Sequence, residues 1–135
     1  MGIRAPVVLA LGAAACASVA PPAPPIVSLA GVEWRVVAVN GRATPGTSDY
    51  SMRFVSGQLT ARFGCNHMGG GYQMADGLLV AGPISSTRMA CSEPAGSLEQ
   101  QGGAVLGQPM RVAESTSGRV TLINEAGSIA LERTP

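Results

Sequence analysis

The chain has 135 residues, with nine arginines, no lysine and eight acids, for a net charge of +1. That length holds one domain and a short extra segment, and the near-neutral balance, without a basic run interleaved with aromatics, excludes a nucleic-acid-binding surface. Aromatic content is only 4%, so the core must be built from Val, Leu, Ile, Ala and Met around Trp34, Tyr50, Phe54, Phe63 and Tyr72.

Residues 1–15 have the layout of a signal peptide: Arg4, an apolar run from Ala5 to Leu11, then small residues. The run is too short to cross ~30 Å of hydrocarbon as a helix. Cleavage after "SVA" (18–20) would leave Pro21 at the new N-terminus, which signal peptidases tolerate badly. Ala13-Ala14-Ala15 before Cys16 is similar instead to the lipobox of bacterial lipoproteins, with Ala13 where leucine is commonest. Cys16 is therefore expected to carry lipid and anchor the chain to a membrane; a soluble periplasmic or secreted protein is the alternative. Ala17, rather than aspartate, resembles the sorting signal for an outer membrane, with the domain facing the periplasm. Residues 16–27 carry Pro21, Pro22, Pro24 and Pro25 and read as an extended tether, reaching roughly 40 Å at ~3 Å per residue.

From residue 28 the chain reads as one domain of short strands separated by turn residues. Residues 32–39 place Val32, Trp34, Val36 and Ala38 on one face and end at Asn40-Gly41. Residues 50–55 and 58–63 form a hairpin about Ser56-Gly57, with Tyr50, Met52 and Phe54 facing Leu59, Ala61 and Phe63. Continued alternation carries Cys65 to the inward face, beside a corner that Asn66 can tie to the backbone. His67 reads as a polar turn residue, and Gly69-Gly70-Gly71 permit unusual angles or close approach. Residues 72–75 turn through Asp76-Gly77 into a strand over 78–86. Residues 97–107 read as a helix with a capping box, Ser97 with Gln100, and Leu98, Val105 and Leu106 on its apolar side. Gly102-Gly103 weaken it by ~2 kcal/mol relative to alanines, so it must lean on the sheet. Strands at 110–115, 119–124 and 128–133 complete the chain. The expected fold is mainly β (α+β): a curved antiparallel sheet or partly open barrel of about eight strands, with one short helix packed against it.

The stretch "RFGCNHMGGGYQ" (62–73), taken with "TRMAC" (87–91), resembles the META domain family, which includes heat-shock-inducible, HslJ-like bacterial lipoproteins. The resemblance runs through Trp34, Asn40-Gly41, Phe54, Gly64-Cys65-Asn66, Gly70 with Tyr72, Thr87 to Cys91 with Met89 at its centre, and Glu99 ahead of Leu106. Ser92 stands where proline commonly follows the second cysteine, and Gly102 where the helix usually places a bulky residue. The resemblance implies a small β-rich domain at 28–135, exported or lipid-anchored and linked to envelope stress. It implies no reaction, because the family has no established catalytic residues.

With Cys16 taken by lipid, Cys65 and Cys91 remain, and two cysteines in an exported domain most often pair. The loop they would close, 91 − 65 = 26 residues, corresponds to about 3.5 kcal/mol by chain entropy. Two free thiols on neighbouring strands are one alternative. A zinc or copper site of Cys65, His67 and Cys91 is another, lacking an evident fourth ligand and any CxxC or HxxxH spacing. No GxSxG elbow occurs, a Ser–His–Asp set would have to recruit His67 with Asp49 or Asp76 from loops, and no helix follows the three glycines to cradle phosphate. The reading is a monomeric, non-catalytic structural or interaction module of the cell envelope, without catalytic residues, metal or cofactor. The alternative is a partly open barrel that binds a lipid or small hydrophobic ligand.

Overall fold

The computed structural model describes residues 2–16 and 28–135. Residues 2–16 contain no helix or strand and are exposed, and no described helix is long and apolar enough to cross a membrane. Apart from Cys16, the tether expected over 16–27 lies outside the described residues.

The domain consists of β1 (Glu33–Val39), β2 (Arg42–Ala43), β3 (Tyr50–Val55), β4 (Gln58–Phe63), β5 (His67–Ala75), β6 (Leu78–Ala81), β7 (Ser85–Ser86), α1 (Ala95–Leu106), β8 (Arg111–Glu114), β9 (Val120–Asn124) and β10 (Gly127–Arg133). Eight strands follow one another in the order β6-β5-β4-β3-β1-β10-β9-β8, with β2 beside β1 and β7 beside β5. Every pairing is antiparallel. The two ends of this order meet where the Leu79 N–H donates to Met110 O (2.8 Å) and the Met110 N–H to Leu79 O (2.9 Å). The sheet is thus a nearly closed eight-stranded barrel.

Local chemistry sets the hairpins. Asn40-Gly41, Ser56-Gly57 and Asp76-Gly77 each put two successive residues at φ between 50° and 77°, the geometry of a two-residue turn whose twist matches the flanking strands. Three expectations are corrected. In β1 the inward face holds only through Val36: the register with β10 passes from Val36↔Leu131 to Ala38↔Ala130, and this bulge buries Val39 in place of Ala38. The strand expected over 78–86 is broken at Gly82-Pro83 into β6 and β7, where proline has no N–H to donate to a ladder. The helix starts at Ala95, so Ser97 lies inside it and the capping box does not form; no side chain caps this end. Pro94, whose ring presets a helix-compatible φ, occupies the cap position at φ −85° and accepts the first bond, from the Leu98 N–H, at 3.1 Å.

The barrel interior is filled by its own side chains. Trp34, Met52, Phe54, Leu59, Phe63, Leu122, Ile129 and Leu131 are fully buried, and α1 adds Leu98, Val105 and Leu106. An eight-stranded barrel is just wide enough for side chains to do this. Helix α1 packs on β10, β4, β1 and β9 and covers the end where β4 and β9 finish and β5 and β10 begin. A Cβ on Gly102 would sit 2.5 Å from Cζ of Phe63. The ring therefore occupies the place a bulky helix residue would take, which accounts for the glycine there.

Candidate functional site

The corner after β4 is set by Gly64. Its φ is +104°, its N–H donates to Asp49 O at 3.0 Å, and a Cβ would collide with the Tyr50 hydroxyl. Only glycine fits that angle and that space. The turn ends the alternation that was expected to carry Cys65 inward. Cys65 is half-buried, and the fully inward residue is Asn66, 3% exposed and the one buried polar residue among those described.

A buried amide must have its hydrogen bonds made, and Asn66 makes them to two separate segments, the loop 87–91 and α1. Its Oδ1 accepts from the Met89 N–H (2.7 Å) and the Thr87 hydroxyl (2.8 Å). Its Nδ2 donates to Glu99 Oε1 (2.6 Å), to Met89 O (3.1 Å) and toward Cys91 Sγ (3.2 Å). Its backbone N–H donates to Glu99 Oε2 at 2.9 Å. The corner, the loop 87–91 and α1 are therefore held by one side chain. Thr87, Met89 and Glu99 are the partners of Asn66, 21 to 33 residues away in sequence.

Cys65 and Cys91 form a disulfide, with Cα atoms 6.0 Å apart. Cys91 Sγ lies 3.9 Å from Glu99 Oε2, and sulfur and carboxylate ligand atoms of Cys65, Cys91 and Glu99 all fall within 4.8 Å of one another. His67 does not join this cluster. It is the exposed first residue of β5, paired across from Arg62, rather than a turn residue. Its backbone N–H donates to Thr87 Oγ1 at 3.0 Å.

The remaining motif residues lie away from the corner. Trp34 is fully buried, donates from Nε1 to Leu29 O at 3.0 Å and lies 5.3 Å beneath the Arg133 guanidinium. Gly70 lies within β5, where a Cβ would stand 2.6 Å from Pro83 O, so its role is close approach. Tyr72 packs edge-on against Phe54, centroids 5.1 Å apart. Cys16 is exposed and is the free cysteine of the chain. Two features escaped the sequence reading: the Tyr50 hydroxyl over Gly64, and the Glu99 carboxylate as the main partner of Asn66. A buried asparagine side chain demands partners for its amide wherever the fold supplies them, and that demand was the available signal. Burial raises the Tyr50 pKa above its ordinary 10.0, Asp49 raises it further, and Arg42 opposes both.

The family model described as META domain matches residues 27–134. A protein solved by NMR from Burkholderia xenovorans superposes with a TM-score of 0.61 at 21% identity, covering 87% of this chain and 99% of that one. A second NMR structure gives a TM-score of 0.68 at 19% identity, covering 79% of this chain and 95% of that one. At such identities the likeness concerns the fold. No curated protein sequence matches the chain significantly.

Proposed function

This chain belongs to the META domain family, and from that premise we propose that it is an exported, lipid-anchored domain of the bacterial envelope that acts by contact rather than by turnover. The observation that supports the anchor is the fate of the cysteines. Cys65 and Cys91 are consumed by each other, which leaves Cys16 as the free thiol, directly after an apolar run and Ala13-Ala14-Ala15. A disulfide also suits an exported protein.

A contact role, as an accessory of stress tolerance, is supported by how the polar groups of the corner are used. Asn66, Thr87 and Glu99 are engaged with one another, an arrangement that rigidifies rather than activates. The lipid-binding alternative would need the barrel to open, since Trp34, Phe54 and Phe63 occupy its interior. Replacing Cys16 by serine tests the anchor: palmitate labelling should vanish and the protein should move from the membrane to the soluble fraction. Unchanged labelling and membrane retention would refute it.

A further inference from the structure

Three donors from three segments converge at the disulfide corner: Cys65 after β4, Cys91 in the loop ahead of α1, and Glu99 in the helix. We propose that this corner, once its disulfide is reduced, binds a single zinc ion through Cys65 Sγ, Cys91 Sγ and the Glu99 carboxylate. The chemistry of the set selects the metal. Calcium and magnesium take oxygen ligands alone, and copper(I) favours sulfur, whereas zinc accepts thiolate and carboxylate together.

The geometry needs little change. Tetrahedral zinc, with Zn–S of ~2.3 Å and Zn–O of ~2.1 Å, wants sulfurs roughly 3.8 Å apart and sulfur-to-oxygen spacings of roughly 3.6 Å. Cys91 Sγ already lies 3.9 Å from Glu99 Oε2, and the sulfurs can separate by rotation about Cα–Cβ with the Cα atoms left 6.0 Å apart. Asn66 holds both carboxylate oxygens, Oε2 through its N–H at 2.9 Å and Oε1 through its Nδ2 at 2.6 Å. Outer partners of this kind orient a metal ligand. All three residues are half-buried, so solvent can supply the fourth ligand and the ion has a way in.

The steps balance. A dithiol reductant passes two electrons and two protons to the disulfide, leaving two thiols here and a cyclic disulfide on the reductant. Zinc then displaces both thiol protons to solvent. The ion restores the link between the corner and the loop that reduction had cut, and joins α1 to it through Glu99.

Zinc titration of the dithiol-treated full chain, against a chromophoric chelator and after removal of the reductant, tests the site. One zinc per reduced chain and none per oxidised chain is expected, with a thiolate-to-metal charge-transfer band when cobalt(II) replaces zinc. Cys65→Ser and Cys91→Ser should each abolish the band, Glu99→Gln should weaken zinc binding at least tenfold, and His67→Ala should leave it unchanged. Binding that persists in the oxidised chain, or that follows His67 and not Glu99, overturns the assignment. Circular dichroism covers loss of fold on reduction: refolding by one equivalent of zinc supports the site, and a reduced chain that neither binds zinc nor refolds with it refutes it.

Discussion

Asn66 and Tyr50 show how single side chains set the corner's stability. Replacing Asn66 by alanine removes the acceptor for the Met89 N–H and the Thr87 hydroxyl and the Nδ2 donor to Glu99 and to Met89 O, and leaves the backbone N–H bond to Glu99 in place. Leaving such groups without partners should cost about 2–4 kcal/mol, read as a lower urea midpoint at unchanged slope. Tyr50 gives a pH test. Its folded pKa is raised above 10.0 by burial and by Asp49, so its contribution is whole below pH 10. The unfolded chain then releases the proton first, and stability falls as pH rises from 10 toward the folded value. Tyr50→Phe should flatten that alkaline decline, measured as urea midpoints between pH 9 and 11; an unchanged slope would show that Tyr50 does not titrate with unfolding. The sequence disclosed Asn66 as a corner residue because Gly64 and Cys65 flank it. It did not disclose Glu99 as its partner, since that contact spans 33 residues and depends on where α1 docks.

At the scale of elements, the hairpins were legible because Asn-Gly and Asp-Gly pairs encode their turns locally. The helix start was not, because Ser97 and Gln100 match a cap pattern while Pro94 sets the real one. Two adjacent glycines in α1 make opposite predictions. Gly103→Ala would place a methyl 3.4 Å from Cε of Met68, an ordinary contact, and should stabilise by up to about 1 kcal/mol through helix propensity. Gly102→Ala would drive a methyl into the Phe63 ring and should cost about 1–3 kcal/mol as overpacking. Thermal melts of the two variants decide it: melting temperatures moving in the same direction would contradict this packing. The bulge in β1 was invisible for another reason, whereas the break at Gly82-Pro83 is written in the proline itself. A bulge depends on which strand lies alongside, and β10 is 88 residues away at the point where Asn40 Oδ1 accepts the Ser128 N–H.

For the whole molecule, a core poor in aromatics makes the covalent link between Cys65 and Cys91 a large share of net stability. Removing it with paired serines opens a loop of 26 residues and should cost about 3.5 kcal/mol, measured by urea unfolding in the absence of zinc. The barrel's closure makes a second whole-molecule prediction: the amides of Leu79 and Met110, which seal it, should exchange hydrogen as slowly as those of β1, and fast exchange there would mean an open sheet. The path of the chain around the barrel also gives the domain two unlike poles. Residue 29 enters beside Phe54, where Gly31 bonds its carbonyl, and Thr134 leaves beside Glu33, whose carbonyl it caps at 3.0 Å. Both chain ends thus depart from the pole opposite α1 and the disulfide. Any surface that holds this protein by its N-terminal segment would see the bare turns at Ser56-Gly57 and Ser117-Gly118, while the cysteine pair, Glu99 and the helix would stand at the distal tip, the first part met by anything approaching from beyond.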